Sequence, residues 1–140
     1  MLTGHTDAVW QLVLSGQKLL SCSADGSVRL WDPNLSEALQ RTISSSDGGI
    51  PISIDWLMQD TNQFLVTYDT LKTVIYDTET GKITREFHND ESSHGDSNYR
   101  INRLISHPTQ PILITAHDDR KIRYFDSNSG KSSRLDRWFE

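Results

Sequence analysis

Short apolar runs and polar turns alternate along most of the chain, and no stretch carries the period of an amphipathic helix. Strand-like runs with turn signals every eight to twelve residues are typical of all-β proteins, whereas a helix would need a 3.6-residue period over at least eleven residues. Three of the runs end in an aromatic residue followed by aspartate, namely Trp31-Asp32, Tyr76-Asp77 and Phe125-Asp126. The same order of strand, turn and strand precedes each pair, so the pattern predicts a unit that occurs three times.

Each unit is expected to be an antiparallel meander of four strands. The predicted first strands cover residues 8–14, 51–56 and 101–106, and the predicted fourth strands cover residues 38–43 and 83–87. The predicted repeats span residues 1–46, 47–93 and 94–131. The third repeat is incomplete, because residues 132–140 show no clean alternation of apolar and polar positions and form a divergent tail.

Composition and charge narrow the classes of function. The 140 residues suffice for one ordinary domain, although the hydrophobic fraction of 35% is low and favours a small core. Acidic residues outnumber basic ones by 19 to 14 and no basic block stands out, so we expect no nucleic-acid binding. No run is long enough to span a bilayer and no signal peptide precedes the first repeat, so we expect no membrane insertion and a cytoplasmic location.

The single cysteine and the lack of cofactor motifs restrict the chemistry further. Cys22 cannot form an internal disulfide, and its place between two serines of a strand predicts that it is buried and unreactive. The sequence carries no glycine-rich phosphate loop, no Rossmann fingerprint and no metalloprotease helix, so we expect no cofactor.

The first repeat carries a specific set of residues at its ends and in its central turn. Gly4-His5 opens it, Asp25-Gly26 occupies the turn and Trp31-Asp32 closes it. In this register the repeat resembles the WD40 family, with Tyr76 and Phe125 in place of the tryptophan in the second and third repeats. The resemblance implies WD40 β-propeller blades, here an incomplete propeller of about three four-stranded antiparallel blades.

A narrower resemblance covers about residues 4–131. Five segments are similar to the C-terminal propeller of the striatin family: GHTDAVW, LLSCSADGSVRLWDP, VIYDTETGK, INRLISHPTQP and ITAHDDRKIRYFDSNSGK. Striatins are scaffold subunits that bring protein phosphatase 2A together with kinases of the sterile-twenty type, and the resemblance implies that role for a full-length relative. The coiled coil and the calmodulin-binding segment of full-length striatins are not among these 140 residues.

His5, Ser21 and Asp25 are the residue types of a nucleophilic hydrolase. The WD40 resemblance implies a different role, a structural hydrogen-bond network that runs from the indole N–H of Trp31 through Ser21 and His5 to Asp25. Buried indole and hydroxyl groups need such partners, whereas a tryptophan at the end of a triad has no catalytic role. We predict the structural network, with a small hydrolase as the alternative.

Two further clusters of residues are candidate binding sites. Two histidines and three carboxylates of one polar segment could bind zinc; they are His88, Asp90, Glu91, His94 and Asp96. Since no predicted strand or helix orders these ligands, we interpret residues 88–98 as a long mobile loop without a metal. The most basic part of the chain, which also holds His107 and His117, is a candidate surface for an acidic or phosphorylated partner. Its cations are Arg100, Arg103, Arg120, Lys121 and Arg123.

The sequence thus predicts a non-catalytic scaffold module that binds other proteins. The alternative to this function, besides the hydrolase, is a truncated propeller fragment without a function of its own. Three blades cannot close a ring, so the two end blades are expected to expose apolar residues and to favour self-association or association with a partner.

Overall fold

The computed structural model describes residues 1–58, 60, 62–88 and 100–129, apart from the side chain of His88. Within these ranges all regular structure is β, in three antiparallel sheets that we call blades 1, 2 and 3. Blade 1 consists of β1 (Val9–Ser15), β2 (Lys18–Ser23), β3 (Ser27–Trp31) and β4 (Leu39–Ser44). Blade 2 consists of β5 (Pro51–Trp56), β6 (Gln63–Tyr68), β7 (Lys72–Asp77) and β8 (Ile83–His88). Blade 3 consists of β9 (Ile101–Ser106), β10 (Ile112–His117) and β11 (Ile122–Asp126).

Each blade is a meander in which consecutive strands pair, so the all-β prediction is confirmed. The first and fourth strands of blade 1 begin and end one residue later than predicted. β1 reaches Ser15 because Ser15 pairs with Lys18 across a two-residue turn, where Gly16 takes the left-handed φ of 58° that such turns need. β8 includes His88, so the prediction that a loop begins at this residue is wrong.

The first strands of the three blades share a break in register after their first residue. This break aligns the blades residue by residue. Gln11 of β1 is equivalent to Ser53 of β5 and to Arg103 of β9. The next residue of each strand is therefore equivalent too, which relates Leu12 to Ile54.

The blades stack face to face, with blade 2 between the other two. One apolar cluster joins blades 1 and 2 and includes Leu20, Ile54 and Phe64; a second joins blades 2 and 3 and includes Leu65 and Leu104. These side chains leave water on stacking, which is the main favourable contribution to the association of the sheets.

Polar contacts between the first strands repeat from one blade to the next. The amide of Ile54 donates to Gln11 Oε1 at 3.0 Å, and the amide of Leu104 donates to Ser53 Oγ at 3.1 Å. Because equivalent residues make equivalent contacts, the three blades point the same way, and their corresponding turns lie along the same edge of the molecule.

The fourth strands also reach across to the next blade. Arg41 of β4 donates to the carbonyl of Thr80 in the β7–β8 turn at 3.0 Å. Arg85 of β8 donates to the carbonyl of Ser127, which follows β11, at 2.7 Å. Each arginine therefore ties the outer part of its blade to the turn after the third strand of its neighbour.

The outer faces of the end blades carry exposed apolar side chains. Leu12 and Leu14 of β1 are 60% and 68% exposed, whereas Ile54, the equivalent of Leu12, is fully buried between blades. On blade 3, Ile105 and Ile122 are 45% and 61% exposed. Positions that the stack buries inside the molecule are thus open to water at its two ends.

Candidate functional site

Four side chains of blade 1 form a continuous chain of hydrogen bonds. The indole Nε1 of Trp31 donates to Ser21 Oγ at 2.8 Å. Ser21 Oγ lies 2.6 Å from His5 Nε2, and His5 Nδ1 lies 2.9 Å from Asp25 Oδ2. These partners assign the protons: Nδ1 of His5 donates to the carboxylate, so Nε2 accepts the hydroxyl proton of Ser21.

The strand pairing of blade 1 explains why these residues meet. Leu20 and Cys22 face the core shared with blade 2, so Ser21 between them points to the opposite face of the sheet. Trp31 lies beside it on β3, since Leu19 pairs with Trp31. Asp25 lies in the β2–β3 turn, next to the segment that carries His5.

Two groups that the sequence analysis missed complete the surroundings of Asp25. Ser27 Oγ donates to Asp25 Oδ1 at 2.6 Å, and the amide of Thr6 donates to Asp25 Oδ2 at 3.1 Å. Burial by itself would raise the pKa of Asp25, but the bonds from Ser27, His5 and the backbone amides outweigh it and hold the pKa well below its usual range. The position of Ser27, two residues after a turn aspartate, is the local signal that could have identified it.

The atoms of Ser21, His5 and Asp25 are ordered as in a serine hydrolase, but the surroundings of the serine differ. Ser21 is only 2% exposed, and its oxygen accepts the indole hydrogen bond of Trp31. A nucleophile needs an accessible oxygen and donors placed around the reacting carbonyl. A small pocket of about 10 Å³ lies elsewhere, between blades 2 and 3, and is lined by Thr73, Phe87, Ile101, Leu104, Leu113, Thr115 and Phe125.

Blade 2 holds an ion pair at the corresponding place. Asp47 precedes β5 by the same number of residues as His5 precedes β1, and Lys72 begins β7 as Ser27 begins β3. Lys72 Nζ lies 2.9 Å from Asp47 Oδ2 and 3.7 Å from Glu86 Oε1. The bond with Asp47 raises the pKa of Lys72, so the buried amine stays charged.

Two tyrosines of blade 2 form a hydrogen bond that involves the equivalent of Trp31, although the place of Ser21 is taken by Val66. The hydroxyls of Tyr68 and Tyr76 lie 2.8 Å apart, and Tyr76 is equivalent to Trp31. Burial, assisted by the bond with Tyr76, raises the pKa of Tyr68 far above its ordinary value, so it remains neutral.

In blade 3 the position of Asp25 is taken by Asp119, which binds a cation. Both terminal nitrogens of Arg123 donate to the carboxylate of Asp119, at 3.0 and 2.5 Å. The hydrogen bond from Arg123 lowers the pKa of Asp119. His117 is buried with its Nε2 2.6 Å from Thr115 Oγ1.

The structure separates the five cations of the candidate partner surface into groups. Arg100, Arg120 and Lys121 are exposed at one end of blade 3, where the amide of Asp118 donates to the carbonyl of Arg100 at 3.1 Å. Arg103 is also exposed but is the third residue of β9, three positions after Arg100. Arg123 differs from the others, because its guanidinium is engaged by Asp119.

The remaining candidates carry no site in the described part of the chain. Asp90, Glu91, His94 and Asp96 of the zinc hypothesis lie outside the described residues, as does the side chain of His88. The described residues contain no group of three or more potential ligands arranged to hold a metal. Cys22 is buried as predicted, and burial raises the pKa of its thiol to about 11, so its reactive thiolate is suppressed.

Comparison with known protein families identifies the class of protein to which these blades and the hydrogen-bond network of blade 1 belong. The model of the WD domain, G-beta repeat, matches residues 1–32 and 82–126, which is more than half of the chain. The chain therefore belongs to the WD40 repeat family. In the part that the structure describes, no helix has the length and apolar character to cross a membrane.

Within this family the chain is similar to striatins. It is 46% identical to striatin-3 of Homo sapiens over 133 residues, which are 93% of this chain and 17% of that protein. It is 43% identical to striatin of Mus musculus over the same shares, and 41% identical to striatin-4 of Homo sapiens over 94% of this chain and 18% of that protein. The chain thus spans less than a fifth of the length of these relatives.

Proposed function

We propose that the chain is a non-catalytic protein-interaction module and acts as part of a scaffold. The observation that carries this proposal is the state of Ser21, the candidate nucleophile, whose hydroxyl is buried and engaged on both sides by Trp31 and His5. The similarity to striatins supports a scaffold that connects protein phosphatase 2A with kinases, in the cytoplasm. The repeats 1–46, 47–93 and 94–131 are the units of this module.

The exposed cations at the end of blade 3 are the proposed contact surface for a partner. Arg100, Arg120 and Lys121 form no ion pair with a carboxylate of the described residues, so their charges are available to a bound protein. Electrostatic complementarity of this kind contributes to specificity and to the rate of association. Arg123 holds the turn through Asp119 and is not expected to contact the partner directly.

The scaffold proposal predicts that the chain binds a partner protein without catalysing a reaction on it. The purified chain is presented to a sterile-twenty kinase, and retention is measured by surface plasmon resonance for the parent chain and for the variant Arg100→Glu, Lys121→Glu. We expect binding by the parent and a loss of at least tenfold in the variant, which is about 1.4 kcal/mol. Lys18→Glu, an exposed cation of the β1–β2 hairpin, is the matched control.

A hydrolase is the second candidate, because the distances from Ser21 to His5 and from His5 to Asp25 suit a triad. The test treats the chain with a fluorophosphonate probe and with chromogenic esters. Labelling or turnover that disappears in Ser21→Ala would overturn the non-catalytic proposal. We expect neither, since the serine oxygen is enclosed.

We also propose that the isolated chain associates with a second copy through its open apolar faces. Ile54 and Trp56 of blade 2 are the equivalents of Leu12 and Leu14. Both are buried, because blade 1 covers that face of blade 2. Water is thus excluded from these leucines only when another blade or another molecule covers them. A fragment without any function of its own remains the alternative for a chain of this length.

A further inference from the structure

The two open faces of the stack are of different kinds. Each internal interface joins the first two strands of one blade to the first strand of the next, as β1 and β2 contact β5 and as β5 and β6 contact β9. The open face of blade 1 is therefore the surface that a first strand presents to a preceding blade. The open face of blade 3 is the surface that a blade presents to a following one.

The open face of blade 3 carries a residue whose equivalent is buried inside the stack. Ile122 pairs with Ala116 as Val28 pairs with Cys22 in blade 1, which makes Ile122 the equivalent of Val28. Val28 is buried in the apolar cluster with blade 2, whereas Ile122 is 61% exposed. Blade 3 thus offers the kind of apolar surface on which the first strand of a following blade packs.

The open face of blade 1 is the counterpart of that surface. Ile54 belongs to the same apolar cluster as Val28, and Leu12 is the equivalent of Ile54 on blade 1. A first strand that carries Leu12 and Leu14 therefore matches a face that carries Ile122. The two faces lie at opposite ends of one chain, and three blades are too few to close a ring, so these faces meet only between two molecules.

We propose that two copies of the chain associate head to tail, with blade 3 of each copy packed on blade 1 of the other, and close a ring of six blades. This inference rests on the proposed self-association and states which faces meet. Each copy supplies three blades, and propellers typically have four to eight, so two copies fall within this range whereas three exceed it. Two contacts between unlike faces, related by a two-fold axis, leave no face of the ring open.

One polar contact of the internal interfaces has no equivalent at the proposed contact between copies. Inside the stack, an amide of the following first strand donates to the side chain of Gln11 in one interface and of Ser53 in the other. Arg103 has the equivalent place on blade 3, and the amide that it meets in the ring is that of Leu12 in the second copy. A guanidinium only donates hydrogen bonds, so the contact between copies is weaker than the internal ones.

Two variants of the full chain, each altered on one face, test the inference together. Leu12→Glu changes the face of blade 1 and Ile122→Lys changes the face of blade 3; both positions are exposed, and near-UV circular dichroism checks that each variant folds. In analytical ultracentrifugation we expect a dimer for the parent chain, a monomer for each variant alone and a dimer for their equimolar mixture. The mixture keeps one unaltered contact between copies and brings a glutamate and a lysine together at the other.

The outcomes that overturn the inference are distinct from those that overturn self-association. A contact between two blade 1 faces would leave Ile122→Lys dimeric, and mixing would not restore the association of Leu12→Glu. A mass that rises beyond two chains would exclude a closed ring. Either result removes the head-to-tail ring but leaves self-association in place, whereas a monomeric parent chain contradicts both. Binding of the kinase tests the scaffold function separately.

The variant Arg103→Gln tests the register of the contact by strengthening it. Glutamine supplies the acceptor that Gln11 supplies inside the stack, so the dissociation constant of the dimer is expected to fall about fivefold for each contact between copies, the effect of one neutral hydrogen bond. Arg100→Gln is the matched control, because it removes the same charge from an exposed residue that precedes β9. Equal effects of the two variants would contradict the proposed register.

Discussion

The indole nitrogen of Trp31 donates a hydrogen bond of 2.8 Å to the hydroxyl oxygen of Ser21, and both side chains are buried. This bond distinguishes the residues of blade 1 from a hydrolytic triad, since it occupies the oxygen that would attack a substrate. It also satisfies an indole N–H that would otherwise be buried without a partner. The relationship therefore favours a role in stability over a role in catalysis.

Replacing Ser21 by alanine is expected to lower the free energy of unfolding by about 1–3 kcal/mol, because the Trp31 indole and His5 Nε2 lose their shared partner. Urea denaturation followed by tryptophan fluorescence measures the change. Ser46→Ala is the control, since Ser46 is exposed, and its effect should stay within about 0.5 kcal/mol. Equal effects of the two variants would contradict a structural network.

The stability of the chain is expected to fall in acid partly through Asp25. The pKa of Asp25 is lowered in the folded chain, so its contribution is fully present above its ordinary value of 3.8 and is lost as the pH falls below that value towards the folded pKa. Asp25→Asn removes this dependence, so the difference in unfolding free energy between parent and variant should shrink as the pH falls through this range. Thermal unfolding at stepwise lower pH measures it. A difference that grows on acidification would mean that Asp25 is not stabilised as a carboxylate.

Gly26→Ala is expected to destabilise the chain by about 1–2 kcal/mol through the backbone alone. The φ of Gly26 is 89°, and a Cβ added there would meet no atom within 4 Å, so steric overlap with neighbours does not contribute. Chemical denaturation of Gly26→Ala and Gly26→Asn provides the test, because asparagine tolerates the left-handed region better than alanine. An asparagine variant that is no better than the alanine variant would point to another cause.

The open face of blade 1 is expected to drive self-association of the isolated chain. The double variant Leu12→Glu, Leu14→Glu places charges on that face and should shift the sedimentation coefficient towards that of a monomer. Leu35→Glu is the control, because Leu35 is a leucine of the β3–β4 turn that is 50% exposed and lies away from the sheet face. A parent chain that is monomeric at every concentration studied would exclude this role of the face.

Much of the fold was predictable from the sequence because strands and turns depend on neighbouring residues. The alternation of apolar and polar positions located the first strand of blade 2, and the turn containing Asp25-Gly26 located the hairpin of β2 and β3. The aromatic-aspartate pairs located the ends of the third strands, since β3 ends at Trp31. The one-residue shifts at β1 and β4 come from pairing with other strands, which local patterns do not specify.

The residues that stand in blades 2 and 3 at the positions of the blade 1 network were less predictable from the sequence. Asp47 and Lys72 are separated by 25 positions in sequence, and only the stacking of the segment before β5 on the start of β7 brings their charges to 2.9 Å. Likewise, five neighbouring cations looked equivalent in the sequence, but Arg123 is bound by Asp119 and Arg120 is not.

By itself the sequence determined the class of fold, the number of blades and the residue types of the Trp31–Ser21–His5–Asp25 network, because these depend on short-range periodicity and on positions within one repeat. Only the tertiary structure decided which faces are covered and which charges are paired. The physical reason is that burial and charge pairing depend on how the blades stack, and the residues involved are distant in sequence: Leu12 is exposed while its equivalent Ile54 is buried, although both belong to first strands of the same kind.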